Sequence, residues 1–235
     1  MRPRIAVIRF PGSNCETETL RAIARAGGEP ALLDYRDTDL QGAQGVILPG
    51  GFSYGDYLRS GAIARFAPVM GPLRALAESG APVLGICNGF QILCEAHLLP
   101  GALLHNTQQR FTARPVDIRI ERTDTACTGH YTRGQVIRVP LAHGEGRFVA
   151  DEATLDALET ANQVVLRYVT VPGSDLPANP NGATRDIAGI CNPEGNVVGF
   201  MPHPERLADP VLGDDVGLGF FTALVERCRG AEVGA

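Results

Sequence analysis

The first hundred residues predict an open, doubly wound α/β domain with a mostly parallel sheet, and three observations lead there. Short, nearly continuous apolar runs alternate with amphipathic stretches of helical period, as strands buried on both faces and their covering helices do. These runs end in glycine-rich or polar segments, where sheets of this kind carry their functional residues. The chain has 235 residues, 44% of them hydrophobic and 20% charged, enough for a full core in one domain.

The elements follow in order. Arg4–Phe10 reads as the first strand, and Glu16–Ala26 as a helix closed by Gly27-Gly28. Ala31–Asp34 and Gly45–Leu48 are strands, with a helical stretch within Ala62–Glu78. Pro82–Cys87 is a strand that turns into a helix from Asn88 to about Leu98. The middle changes character. Arg114–Glu121, Gln135–Leu141 and Gln163–Thr170 look like strands of a small antiparallel β addition. Val171–Gly182, rich in Pro, Gly and Asn, reads as an ordered surface loop. Asp186–Cys191 and Asn196–Met201 form a hairpin, a last helix spans Val216–Arg229, and the tail from Gly230 to Ala235 is expected to fray. The whole of 1–235 is thus read as a single domain.

Composition removes several function classes. Net charge is −5 with no basic run, which speaks against a nucleic-acid surface. The arginine-broken run at the start is neither a signal peptide nor a membrane span. The six cysteines contain no Cys-x-x-Cys pair and no zinc spacing, so a metal site is not expected and the thiols are expected reduced, in the cytoplasm. All 21 basic residues are arginine. Without lysine there is no Schiff base and no phosphate-loop lysine, so a conventional ATP step would belong to another polypeptide.

The chemistry lies in three separated segments. Gly85-Ile86-Cys87-Asn88-Gly89 is the thiol form of the nucleophile elbow, where a strand turns sharply into a helix and leaves the nucleophile at the apex. A cysteine there sits among unpaired helix amides and a dipole that favour an anion. The plainer reading is a buried structural thiol. In Pro202-His203-Pro204-Glu205 the side chains two apart point the same way, so an imidazole and a carboxylate face one site. An imidazole takes the thiol proton and returns it to the leaving group, while a carboxylate fixes its tautomer. Read alone, the segment also fits a rigid surface turn. Leu48-Pro49-Gly50-Gly51-Phe52 ends a third strand with amides free to approach a ligand closely; with the amide of Asn88 they would offer two oxyanion donors, while a glycine pair is equally at home in a plain turn.

In this order, Pro-Gly-Gly, Gly-x-Cys-x-Gly-x-Gln and Pro-His-Pro-Glu resemble a class I glutamine amidotransferase, and the likeness runs from the first strand to the last helix. The resemblance implies a flavodoxin-like sheet and a triad of Cys87, His203 and Glu205. It implies an oxyanion hole from the amides of Gly51 and Asn88, and substrate contacts at Gly50, Phe52, Gln91, His143 and Gly144. Glutamine would be the substrate, hydrolysed through a γ-glutamyl thioester with no cofactor in this chain. Phe10–Cys15, Gly51–Arg59, Ala142–Gly146 and Asn179–Gly182 are similar to the branch that serves purine biosynthesis. Other amidotransferases of this class usually lack the Ser-Tyr-Gly-Asp stretch. In that branch the glutaminase passes ammonia to a large synthetase subunit, joined by a small third subunit. The synthetase uses ATP and magnesium to convert formylglycinamide ribonucleotide to the amidine.

Each loop has a plainer reading as well. Pro11–Asn14 is either a turn with Ser13 or Asn14 as helix cap or a phosphate loop. Tyr54, Tyr57 and Arg59 form either a solvated loop or a contact surface. His97, His105 and His130 are read as structural. Cys15, Cys94, Cys127, Cys191 and Cys228 are read as packing residues, Cys15 being the one whose loop leaves a strand's carboxyl end. Rival functions on the residues alone are a γ-glutamyl hydrolase, a subunit of a different amidotransferase pathway, and a non-catalytic binding module.

Overall fold

The computed structural model describes residues 1–173 and 178–230. Its elements, in chain order, are β1 (Arg4–Arg9), α1 (Glu16–Arg25), β2 (Glu29–Asp34), β3 (Gly45–Leu48), α2 (Met70–Glu78), β4 (Val83–Ile86) and α3 (Asn88–Glu95). Then come β5 (Ala102–Leu104), β6 (Thr112–Ile120), β7 (Val136–His143), β8 (Arg147–Val149), α4 (Glu152–Thr160), β9 (Val164–Tyr168), β10 (Ile187–Cys191), β11 (Val197–Phe200) and α5 (Leu218–Gly230).

The strands form a nine-stranded sheet in the order β2-β1-β3-β4-β11-β10-β9-β6-β7. From β2 to β11 the neighbours pair in parallel, and from β11 to β7 they pair antiparallel. The antiparallel strands β10, β9, β6 and β7 continue the main sheet, and among the described residues the short antiparallel pair β5–β8 forms a small sheet of its own, as the expected antiparallel addition to a parallel sheet. Val46, Ile47, Leu48, Val83, Leu84 and Ile86 have no exposure, which is why the central strands carry no alternating polar residues. The helix α1 packs on β1 and β2 and against α5, whereas α3 lies across β3, β4 and β11.

Two boundaries differ from expectation for local reasons. Within Ala62–Glu78 the regular helix is confined to Met70–Glu78, behind a single 3-10 turn at Ala64–Phe66. Pro68 accounts for the break: Ala67 before it is extended at ψ 144, as a residue preceding proline prefers. The elbow helix stops at Glu95, and His97 leaves it at a left-handed φ of 57. Of the loop expected over Val171–Gly182, residues 174–177 lie outside the described residues, as does the tail beyond Gly230. Among the described residues, no helix is long and apolar enough to cross a membrane.

Candidate active site

Sheet order delivers the site. The strand β4 runs into Cys87, its parallel neighbour β11 runs toward His203, and its other neighbour β3 runs into Gly50-Gly51. Segments far apart in sequence meet because Ile86 pairs with Phe200, and the Cys87 N–H donates to the Phe200 carbonyl at 2.8 Å. Cys87 has φ 52 and ψ −104, a left-handed corner directly before α3. The corner depends on Gly89, where a Cβ would lie 2.0 Å from the Leu48 carbonyl oxygen, and on Gly85, where one would lie 2.6 Å from Gly89 backbone. The thiol of Cys87 points at the Ala142 carbonyl, 3.7 Å away.

His203 leaves β11 between two prolines, and its N–H donates to the Pro140 carbonyl of β7 at 2.8 Å. Its Nδ1 lies 2.5 Å from Glu205 Oε1, both residues being 1% exposed. Among the described residues Nε2 has no hydrogen-bond partner, and it is the nitrogen left for Cys87. Burial opposes a charge on the imidazole, but the Glu205 carboxylate and the sulfur of Cys87 outweigh it and hold the His203 pKa well above the ordinary value. A thiol, an imidazole and a carboxylate so arranged are equipped for nucleophilic attack on a carbonyl, with proton transfer through the ring.

A second sulfur backs the imidazole. Cys15 Sγ lies 3.9 Å from His203 Nδ1, accepts from Arg206 Nη2 at 3.3 Å and donates to Asn14 Oδ1 at 3.2 Å. Gly50 leaves room for both, since a Cβ there would come 2.7 Å from His203 Cε1 and 3.0 Å from that sulfur. Among the described residues, Cys15, His203 and Glu205 are the group whose donor atoms lie within 4.8 Å of one another. The guanidinium of Arg206, close to both Cys15 and Glu205, weighs against a metal cation there.

A cavity of about 190 Å³ opens beside Cys87 and is lined by Gly51, expected in the oxyanion hole, and by Phe52, Gln91, His143 and Gly144, expected as substrate contacts. Gly50 is not in that lining; it packs behind, against His203. Asp56, Ser60, His105, Phe111, Ala142 and Glu145 complete the wall. A larger cleft between α2 and the β10–β11 turn holds none of these groups.

The amide of Gln91 accepts from Asn88 Nδ2 at 2.9 Å and donates to the Glu145 carbonyl at 2.5 Å, so it ties the elbow helix to the opposite wall. Asn88 also accepts the Ser53 N–H at 3.2 Å. Its own backbone amide opens α3, where first-turn N–H groups lack helical acceptors. The wall segment 143–146 is held by two fully buried asparagines. Asn106 donates to the His143 carbonyl at 3.0 Å and accepts from the Gly146 N–H at 3.2 Å. Asn181 Nδ2 lies 3.3 Å from His143 Nε2 and donates to the Gly146 carbonyl at 2.8 Å. Burial first, then repulsion from His203, pushes the His143 pKa down to about 3.

Several sequence readings change here. Neither Ser13 nor Asn14 caps α1; Cys15 occupies that position without a side-chain cap bond, while Ser13 Oγ accepts the Phe10 N–H. Tyr54 turns inward to meet Tyr35 edge-on at 5.8 Å, and Arg59 pairs with buried Glu95 at 2.6 Å. Tyr57 and Leu58, 74% and 91% exposed, carry the outward face of that loop. His105, read as structural, lines the cavity; His130 pairs with Glu226 on the surface. Asp56, Asn106 and Asn181 were missed, although Asn181 lies within the distinctive Asn179–Gly182 stretch that marks it.

The CobB/CobQ-like glutamine amidotransferase domain matches residues 2–216. The chain is 56% identical to phosphoribosylformylglycinamidine synthase subunit PurQ of Rubrobacter xylanophilus, with 96% of this chain and 99% of the relative aligned. The chain belongs to the PurQ family of glutamine amidotransferases. A PurQ subunit of Thermus thermophilus is 52% identical, over 95% of this chain and 98% of its own. The solved structure of PurLQS from Thermotoga maritima superposes with a TM-score of 0.85 at 41% identity, over 96% of this chain and 99% of that one.

Proposed function

We propose that this chain is the glutaminase subunit of a phosphoribosylformylglycinamidine synthase. The observation that carries the reading is the meeting of Cys87, His203 and Glu205 at the ends of adjacent strands, beside a cavity of amino-acid size. Cys87 Sγ bonds to the side-chain amide carbon of glutamine as His203 takes the thiol proton. The amides of Gly51 and Asn88 stabilise the oxyanion. The carbon–nitrogen bond then breaks, and His203 returns the proton to the departing ammonia. Water, deprotonated by the same imidazole, attacks the thioester; the carbon–sulfur bond breaks and glutamate leaves with the thiol restored. Glu205 orients the ring and stabilises its charged form throughout.

Each of these steps uses groups of this chain and water, with no cofactor. ATP and magnesium belong to the large synthetase subunit that consumes the ammonia, and a small third subunit completes the assembly. Phe52 and Phe111, their rings 6.2 Å apart at the cavity wall, and the exposed pair Tyr57 and Leu58 support a covered mouth. Ammonia released into water is protonated, so an enclosed route between subunits is expected.

The test is a glutaminase assay with and without the synthetase partner. Cys87→Ala is expected to lower glutamine-dependent synthesis by at least ~10⁴-fold while synthesis from added ammonia persists. Loss of both activities in a folded variant would contradict the division of labour.

A further inference from the structure

The cavity beside Cys87 is lined by two carboxylates. Asp56 and Glu145 line it, and among the described residues no arginine does. Glu145 is engaged: Oε2 accepts the Ser60 N–H at 3.1 Å and Oε1 lies 3.5 Å from His105 Nε2. Asp56 is different. Among the described residues its Oδ1 is buried with no hydrogen-bond partner of good geometry, and the hydroxyl of neighbouring Ser60, a residue 2% exposed, likewise has none. Burial, with the Glu145 charge added, pushes the Asp56 carboxyl up, and the nearby Ser60 offsets part of this. A half-buried carboxyl beside another acid, with one oxygen shielded from water, lacks the positive donor that would make its charge favourable.

The backbone has been bent to put it there. Tyr54, Gly55, Asp56 and Leu58 all have left-handed φ, at 54, 69, 55 and 71. The loop is pinned from below by Tyr54 N–H to the Pro11 carbonyl at 2.7 Å and Gly55 N–H to the Phe52 carbonyl at 2.8 Å. Strain of this kind persists where the surroundings over-determine it, and it gathers at ligand sites.

We infer that Asp56, supported by Ser60 and Glu145, binds the α-ammonium group of glutamine. The inference rests on the glutaminase reading and goes beyond it, because it assigns recognition of the free amino acid to the Ser53–Asp56 turn. The substrate's amide must lie at Cys87, so its ammonium is the donor left to satisfy these oxygens. A site built to hydrogen-bond a buried donor also rejects the analogue that lacks it. Free glutamine would thereby be selected over chains that carry only a terminal carboxamide.

The experiment uses the chain assembled with its synthetase partner and compares glutamine with glutaramate, in which hydrogen replaces the α-ammonium. Wild type should strongly prefer glutamine. Asp56→Ala should lower kcat/KM for glutamine roughly 10- to 100-fold, chiefly through KM, and leave glutaramate unchanged, so that the preference collapses. The isosteric Asp56→Asn should do the same if the alanine variant folds poorly, and Glu145→Gln should lose less. Ammonia-dependent synthesis and iodoacetamide alkylation of Cys87 should keep their wild-type rates in these variants, showing an intact site. A folded Asp56 variant that keeps the wild-type preference for glutamine overturns the assignment. Failure of wild type itself to hydrolyse glutamine would instead remove the function on which it rests.

Discussion

The two halves of the sheet each bring a buried histidine to the cavity, and the pair hold their protons in opposite ways. His203 follows β11 in the parallel half, and His143 ends β7 in the antiparallel half. They are 1% and 3% exposed, so desolvation bears on both. His203 has the Glu205 carboxylate at 2.5 Å and is raised; His143 has the Asn181 amide at 3.3 Å and falls to about 3. The nearest partner, and not depth, decides which ring carries charge. One ring is thus set for proton transfer and the other for a neutral wall.

The sharpest way to break this contrast is Glu205→Gln, which gives His203 an amide partner like that of His143. Turnover of glutamine should fall roughly 100-fold or more with the protein still folded. The limb of the pH–rate profile that reports loss of the imidazolium should move to lower pH. A wild-type rate and profile would take Glu205 out of the mechanism.

The next largest effect concerns acid stability, and the signs differ for the two rings. The raised His203 contributes stability that is fully present below the unfolded value of 6.5 and lost as pH rises through its folded value. The depressed His143 acts the other way. Between 6.5 and about 3 the unfolded chain binds a proton that the native site refuses, so stability drops as pH falls. This drop is ~1.4 kcal/mol for each pH unit in that window. His143→Gln should therefore shift the acid-unfolding midpoint downward, and an unmoved midpoint would place acid sensitivity elsewhere.

The smallest effect sharpens the antiparallel side. Asn181→Ala leaves the Gly146 carbonyl and a ring nitrogen of His143 without their donor. It should lower unfolding free energy by about 1–3 kcal/mol in a denaturant titration and raise KM for glutamine. Unchanged stability together with unchanged KM would show that the wall does not need this residue.

What was legible in the sequence was local. The elbow, the His–Glu spacing and the glycine pair each need neighbouring residues to adopt one conformation, so their patterns survive in the chain. The same holds for the central parallel strands β3, β4 and β11, whose short, fully buried apolar runs stand between turn residues. The helix α4 was legible and missed: Asp151 accepts the Thr154 N–H at 2.7 Å as its cap, and Leu155 and Leu158 are its buried pair. The three-residue strands β5 and β8 were not, because their pairing joins Leu103 to Phe148 across a long stretch of chain. Asn106 and Cys15 reach the site through partners distant in sequence, the His143 carbonyl and the His203 ring, which an asparagine or cysteine in a loop does not announce; Asn181 stands in a distinctive stretch, but its link to His143 is equally remote. Asp56 belongs with these, since its meaning depends on Glu145 and Ser60 closing around it.

The corner that holds Cys87 sits where an L-amino acid is uncomfortable, at φ 52 and ψ −104. Glycine alone would relax there without penalty. The most reactive position of this protein is therefore also one where the fold would be sturdier with no side chain at all. Selection for robustness alone would erase the nucleophile, and its persistence marks a point where chemistry overrides endurance.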